Sequence, residues 1–126
     1  MREHVDDRRH LYADIFPTPG GDVNVIDLFD GTISAWHRHQ HQDDYFFCVR
    51  GRVKIGIKAP GEGAVWIVLD ETRRGPIVVP ANAWHGYQGF SGDATLVMWA
   101  TQKYDPNDEE RKSIEEMGIP WVRAPR

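Results

Sequence analysis

A single cysteine among 126 residues leaves no disulfide framework within the chain. Cys48 lies in the apolar run 45–49 and reads as a small packed hydrophobe rather than a nucleophile. Long hydrophobic runs are missing too. Nowhere do about 18 apolar residues follow one another, which excludes a membrane-spanning helix, and the first ten residues lack the apolar core of a signal peptide. The expectation is a cytoplasmic protein with no membrane partner. Charge of one sign is also scarce: the formal net charge is −4 and the basic residues are scattered, so there is no electrostatic footprint for nucleic acid. Repeats, low-complexity tracts and linkers are absent, so the chain reads as one domain. At this length a domain buries about two thirds of its unfolded surface without a structural metal. Any metal would therefore serve function.

What the chain does have is a succession of short apolar runs between glycine, proline and aspartate turns, at residues 23–29, 32–38, 45–49, 52–58, 64–69, 77–79 and 95–100. That spacing predicts an all-β fold, an antiparallel sandwich or barrel. In the run 52–58, Val53, Ile55 and Ile57 alternate with Arg52, Lys54 and Lys58, predicting a half-buried strand. Residues 58–63 and 91–93 read as hairpin turns. Acids near the start of 105–118, and Gly118 after the last apolar residue, predict one short helix. The organisation expected is an N-terminal arm at 1–22, a barrel at 23–104 and a helix with tail at 105–126.

Two histidines stand two apart, His37 and His39, in a segment of the form G-x5-H-x-H-x4-D-x6-G that runs from Gly31 through Asp44 to Gly51. In an extended strand residues i and i+2 share a face, so both imidazoles can enter one cavity. A second segment, G-x4-P-x-N-x2-H-x3-G from Gly75 to Gly89, adds His85. Together the two segments resemble the paired motifs of the cupin superfamily. The resemblance implies a small jelly-roll barrel. In metal-binding cupins it implies one divalent transition metal (Fe, Mn, Ni or Zn) held by His37, His39, Asp44 and His85. Aspartate stands where cupins usually carry glutamate, and Asp43 competes with Asp44. Histidine and carboxylate ligands suit such ions and leave positions open for substrate.

A closer resemblance, over about 36–104, is to the nucleotide-sugar isomerases, the dTDP-4-dehydrorhamnose 3,5-epimerases and dTDP-4-keto-6-deoxyglucose 3,4-ketoisomerases. It rests on the run Trp36 to Gly51, on 79–85, on Phe90-Ser-Gly-Asp93 and on Tyr104-Asp-Pro. It implies metal-free proton transfer beside the ketone of a nucleotide-linked 4-keto-6-deoxy sugar, with no cofactor. His37 matches the base, His39 the second ketoisomerase histidine, and Tyr104, or else Trp99, the aromatic acid. His85 would line the pocket, with Trp84 as an apolar wall. An α-proton is labile only when a base takes it while something steadies the enolate oxygen, and histidine, with a pKa of about 6.5, suits the first task. The chain departs from the epimerases where an arginine and glycine would precede the leucine-histidine pair and a lysine would open the next strand. It has Ser34-Ala35-Trp36 and Asp44 or Tyr45 there, and no clear counterpart of the aspartate that orients the base. Arg50 and Arg52, with Arg73 and Arg74, are the cations available to replace the losses. His41 reads as solvated or on the rim, and His4 and His10 as spectators. A metal-dependent dioxygenase or small-molecule isomerase, and a non-catalytic sugar binder, are the alternative functions. Jelly-roll edges are commonly covered by pairing, which predicts a homodimer with the N-terminal arm crossing to the partner.

Overall fold

The structure, a computed structural model, describes residues 1–17 and 20–121. The regular structure among the described residues is nearly all strand: β1 Arg2–Val5, β2 His10–Ala13, β3 Asp22–Leu28, β4 Ile33–His39, β5 Asp44–Arg50, β6 Val53–Lys58, β7 Val65–Leu69, β8 Ile77–Val79, β9 Trp84–Gly89, β10 Ala94–Ala100 and β11 Glu109–Arg111, with one α-helix, α1, at Ile114–Met117. A four-stranded sheet ordered β3-β10-β5-β8 faces a five-stranded sheet ordered β11-β4-β9-β6-β7, and β1 with β2 forms a separate hairpin. Every pairing is antiparallel. This is the cupin-type jelly roll. Among the described residues no helix is long and apolar enough to cross a membrane.

The inner faces of the two sheets supply the core: Phe46 and Cys48 from β5, Val53 and Ile55 from β6, Leu69 from β7 and Leu96 from β10. Each such side chain contributes about 1.5–3 kcal/mol when fully buried. Cys48 packs among them as a free thiol, and burial pushes its pKa up.

Three expectations need correction. The strand at 52–58 is not half buried: Lys54 is 1 % exposed. The outer face of its sheet carries a second apolar cluster, in which Trp36 and Trp121 stand with Trp66, and the Lys54 ammonium lies 5.5 Å from the Trp66 ring. Gly56 is required beneath that cluster, because a Cβ there would sit 2.7 Å from Trp66 and 3.0 Å from both Trp36 and Trp121. Residues 91–93 form no hairpin, since β9 and β10 belong to different sheets and the turn carries the chain across the sandwich. The turn at 58–63 does join the paired β6 and β7.

The third correction concerns 105–118. Pro106–Asp108 forms a 3-10 turn, residues 109–111 extend as β11, and the helix is only Ile114–Met117. Its ends match the sequence cues, with Ser113 and Glu116 in a capping box and Gly118 left-handed at φ 67°. The preceding residues are pulled into the sheet by β4. Trp36 and Lys112 exchange backbone hydrogen bonds, Gln40 and His41 N–H groups donate to the Asp108 carboxylate, and Arg38 makes a two-pronged pair with Glu110 at 3.1 Å. The tail beyond 121 lies outside the described residues. The N-terminal arm packs in part on its own barrel. Tyr12 packs edge-on against Phe47, and Phe16 lies against Tyr45 and Trp99, on the outer face of the four-stranded sheet.

Candidate active site

One end of the sandwich stays open as a cavity of ≈ 220 Å³. His37, His39, Asp44 and Tyr104 all line it. On β4 the alternation that would put Ser34 and Trp36 on one face is broken by a register shift between Ala35 and His37. The shift sends Trp36 into the outer tryptophan cluster and turns Ser34, His37 and His39 inward. On β9 His85 stands opposite His37. Gly86 is needed between β4 and β9, because a Cβ there would collide with Ala35.

Asp44, 2 % exposed, is the hub. Its Oδ1 accepts from Gln42 Nε2 at 2.7 Å, and its Oδ2 lies 3.2 Å from His85 Nε2 and 3.7 Å from His39 Nε2. His85 Nδ1 is 3.1 Å from the Ala83 carbonyl, which can only accept, so that nitrogen carries the proton. His85 Nε2 is buried, close to Asp44 yet not aligned to hydrogen-bond it, and His39 Nδ1 is likewise buried without a hydrogen-bond partner. Ligand atoms of His39, Asp44 and His85 all lie within 4.8 Å of one another, a grouping able to hold a metal ion. The His37 ring sits edge-on to His85 at 4.3 Å. Burial first, then the charges of His85 and His39, lowers the His37 pKa from the ordinary 6.5 to about 2.

The other residues singled out from the sequence fall into two groups. Asp43 does not enter the cavity: its carboxylate accepts from Ala81 N–H at 2.8 Å and its N–H donates to Thr101. Tyr104 stands at the mouth, 69 % exposed, with its N–H donating to Asp22. His41 is exposed. Trp84 faces away from the cavity, because neighbours on a strand point to opposite sides and His85 takes the inner one. Trp84 instead packs in the tryptophan cluster under Arg38, whose guanidinium is 4.6 Å from the ring. Trp99 also points outward, its indole N–H donating to the Gly20 carbonyl. Arg50 and Arg52 lie at the other end of the sandwich, since β5 enters the cavity at Asp44 and leaves it six residues later, about 20 Å away. Arg52 stacks on Phe90 at 4.9 Å, and Arg74 donates to the Cys48 carbonyl.

Sequence reasoning missed three lining residues of consequence. Glu109 and Arg111 come from β11, where Arg111 pairs with His37 in the ladder, and their side chains meet at 2.8 Å. Tyr87, two residues beyond His85 on the same face of β9, lies 5.8 Å from His37 between ring centres and stands opposite Ser34 in the ladder with β4. A strand reading of 84–89 would have found Tyr87, but Gly86, Gln88 and Gly89 mask its apolar pattern.

Comparison with known proteins gives a consistent answer. The family model described as FdtA: WxcM-like, C-terminal matches residues 25–116. The probable low-salt glycan biosynthesis epimerase Agl13 of Haloferax volcanii is 32 % identical over 129 residues, covering 90 % of this chain and 82 % of that protein. The spore coat polysaccharide biosynthesis protein SpsL of Bacillus subtilis is 27 % identical over 142 residues, covering 96 % and 91 %. Among solved structures, a double mutant of the QdtA 3,4-ketoisomerase from Thermoanaerobacterium thermosaccharolyticum, in complex with TDP, superposes with a TM-score of 0.76 at 26 % identity, covering 88 % of this chain and 83 % of that one. With that match spanning most of the barrel, and the histidine-lined cavity inside it, the chain belongs to the FdtA (WxcM-like, C-terminal) family of cupin-type proteins.

Proposed function

We propose that the protein is an isomerase of the epimerase or ketoisomerase type, moving protons beside the ketone of a nucleotide-linked 4-keto-6-deoxy sugar. The observation that carries this reading is His37, which lines a cavity with room for a sugar ring and stands edge-on to His85 at 4.3 Å. His37 takes the proton from the carbon next to the ketone. The C–H electron pair becomes the C=C bond, and the carbonyl π pair moves to oxygen as an enolate. Delivering a proton to the same carbon from the other face gives the epimer; delivering it to the former carbonyl carbon, while the neighbouring hydroxyl gives up its proton to the enolate oxygen, gives the ketoisomer. In this scheme His39 is the second histidine lining the cavity, Asp44 lies beside His39 and His85, and Tyr104 at the mouth takes the part of the acid that protonates the opposite face. Arg111, with its side chain 76 % exposed at the mouth, takes the role first sought in Arg50 and Arg52, facing a diphosphate. The reading includes a homodimer, since β3 is a sheet edge with Val23 and Val25 exposed.

A second reading rests on the pair His85 Nε2 and Asp44 Oδ2. Two acceptors 3.2 Å apart in a buried site call for a cation between them, a proton or a metal ion. His39, Asp44 and His85 fit a divalent transition metal, and the Ala83 carbonyl fixes His85 in the ligating tautomer. Such an ion would polarise a substrate carbonyl as a Lewis acid.

One experiment separates these readings. The protein, purified without chelator or polyhistidine tag, is assayed for metal by elemental mass spectrometry. It is then incubated with dTDP-4-keto-6-deoxyglucose in deuterium oxide and followed by NMR. Metal-free protein that washes deuterium into the sugar, and a His37→Asn variant slowed by about 10²-fold or more, are the expected results. About one metal per chain with activity lost to chelator would replace the first reading by the second. Binding without exchange would make the protein a sugar binder.

A further inference from the structure

Proton abstraction beside a ketone needs a donor for the enolate oxygen, and no lysine is among the residues that line this cavity. The donors lining the cavity differ in how free they are. Gln42 gives its amide N–H to Asp44, and Arg111 is bound to Glu109 at the exposed mouth. Tyr104 is 69 % exposed. Tyr87 alone combines three properties among these residues. It lines the cavity beside the base, 5.8 Å between ring centres. Its ring is fixed by Phe46 at 5.9 Å. Ser34, which also lines the cavity, stands opposite it in the β4–β9 ladder. A serine hydroxyl can donate to the phenol oxygen, leaving the phenol O–H directed to a ligand.

We propose that Tyr87 is the hydrogen-bond donor that steadies the enolate oxygen, with Ser34 as its positioning residue; the assignment rests on the isomerase reading above. The tyrosine keeps its proton throughout. As the C–H bond breaks to His37 and the carbonyl π pair moves to oxygen, the O–H···O contact shortens and strengthens. When the proton returns to carbon, it relaxes. Preorganised donors of this kind act on the transition state more than on the bound ground state. The part a cation could play is thus met by a neutral group whose position needs no salt bridge.

The test is solvent exchange and turnover of dTDP-4-keto-6-deoxyglucose in deuterium oxide by wild type, Tyr87→Phe, Ser34→Ala and Tyr104→Phe. Tyr87→Phe should slow exchange and kcat together by about 10²–10³-fold, with KM changed by less than about 3-fold. Ser34→Ala should cost about 5-fold in kcat. Tyr104→Phe should lower turnover while exchange by His37 continues, a split that marks a donor to carbon rather than to oxygen. Should Tyr87→Phe fail to fold by circular dichroism, Ser34→Ala decides, and wild-type rates in that variant overturn the proposal. A folded Tyr87→Phe that exchanges within about 3-fold of an active wild type overturns it directly. Wild-type protein that exchanges nothing overturns the isomerase reading itself.

Discussion

Burial and the neighbouring charges of His85 and His39 hold the His37 imidazole neutral, down to a pKa of about 2. The sign of the resulting pH dependence follows. Between about 2 and the unfolded value of 6.5 the folded protein binds fewer protons than the unfolded chain, so stability from this group is full above the upper value and is lost as pH falls. The thermal midpoint should therefore drop between about pH 7 and about pH 5, and drop less in His37→Asn. Because kcat/KM reports the free enzyme, it should show no His37 limb near 6.5. Such a limb would mean that water reaches the ring. At this scale the histidine pair was legible, because period-two geometry needs only the spacing of His37 and His39. The cations were not: nothing local tells Arg50 from Arg111 until β5 and β11 are placed at opposite ends of the sandwich.

β11 was the element the sequence concealed. Its composition, Glu-Glu-Arg after Asp-Pro-Asn-Asp, reads as the first turn of a helix, and the capping box that makes a helix does occur three residues later. The deciding force is tertiary. Asp108 ties down the backbone after His39, Glu110 pairs with Arg38, and the ladder with β4 then sets Glu109 and Arg111 over the cavity. Arg111→Ala should raise KM for a dTDP-sugar by about 10-fold with a smaller change in kcat, and the difference should shrink as salt rises. The runs that became β3 to β8 and β10 were legible within one or two residues because each is a short apolar run bounded by turn residues. β9 was not, because Gly86 serves close packing against β4 and Gly89 close packing against Leu28, rather than strand propensity.

Across the whole molecule two apolar clusters lie on opposite faces of one sheet, the sandwich core and the tryptophan cluster, and Gly56 is where β6 meets the second. Gly56→Val would drive a branched side chain into three indole rings. The expected loss is about 2 kcal/mol or more, seen as a fall in Tm of roughly 5–15 °C. An unchanged melting curve would show that Trp121 does not close down on the sheet. The jelly roll itself was legible from run length and turn spacing. The second cluster was not, since Lys54 marks that face as wet and only the returning chain from α1 to Trp121 makes it dry. β11 ends the five-stranded sheet with three residues that all carry charge. A rim so short and so charged also discourages another chain from adding a strand there. Substitutions that retune the cavity at Glu109 or Arg111 therefore act on colloidal behaviour as well, and variants chosen for a new sugar would need to be screened for solubility in the same round.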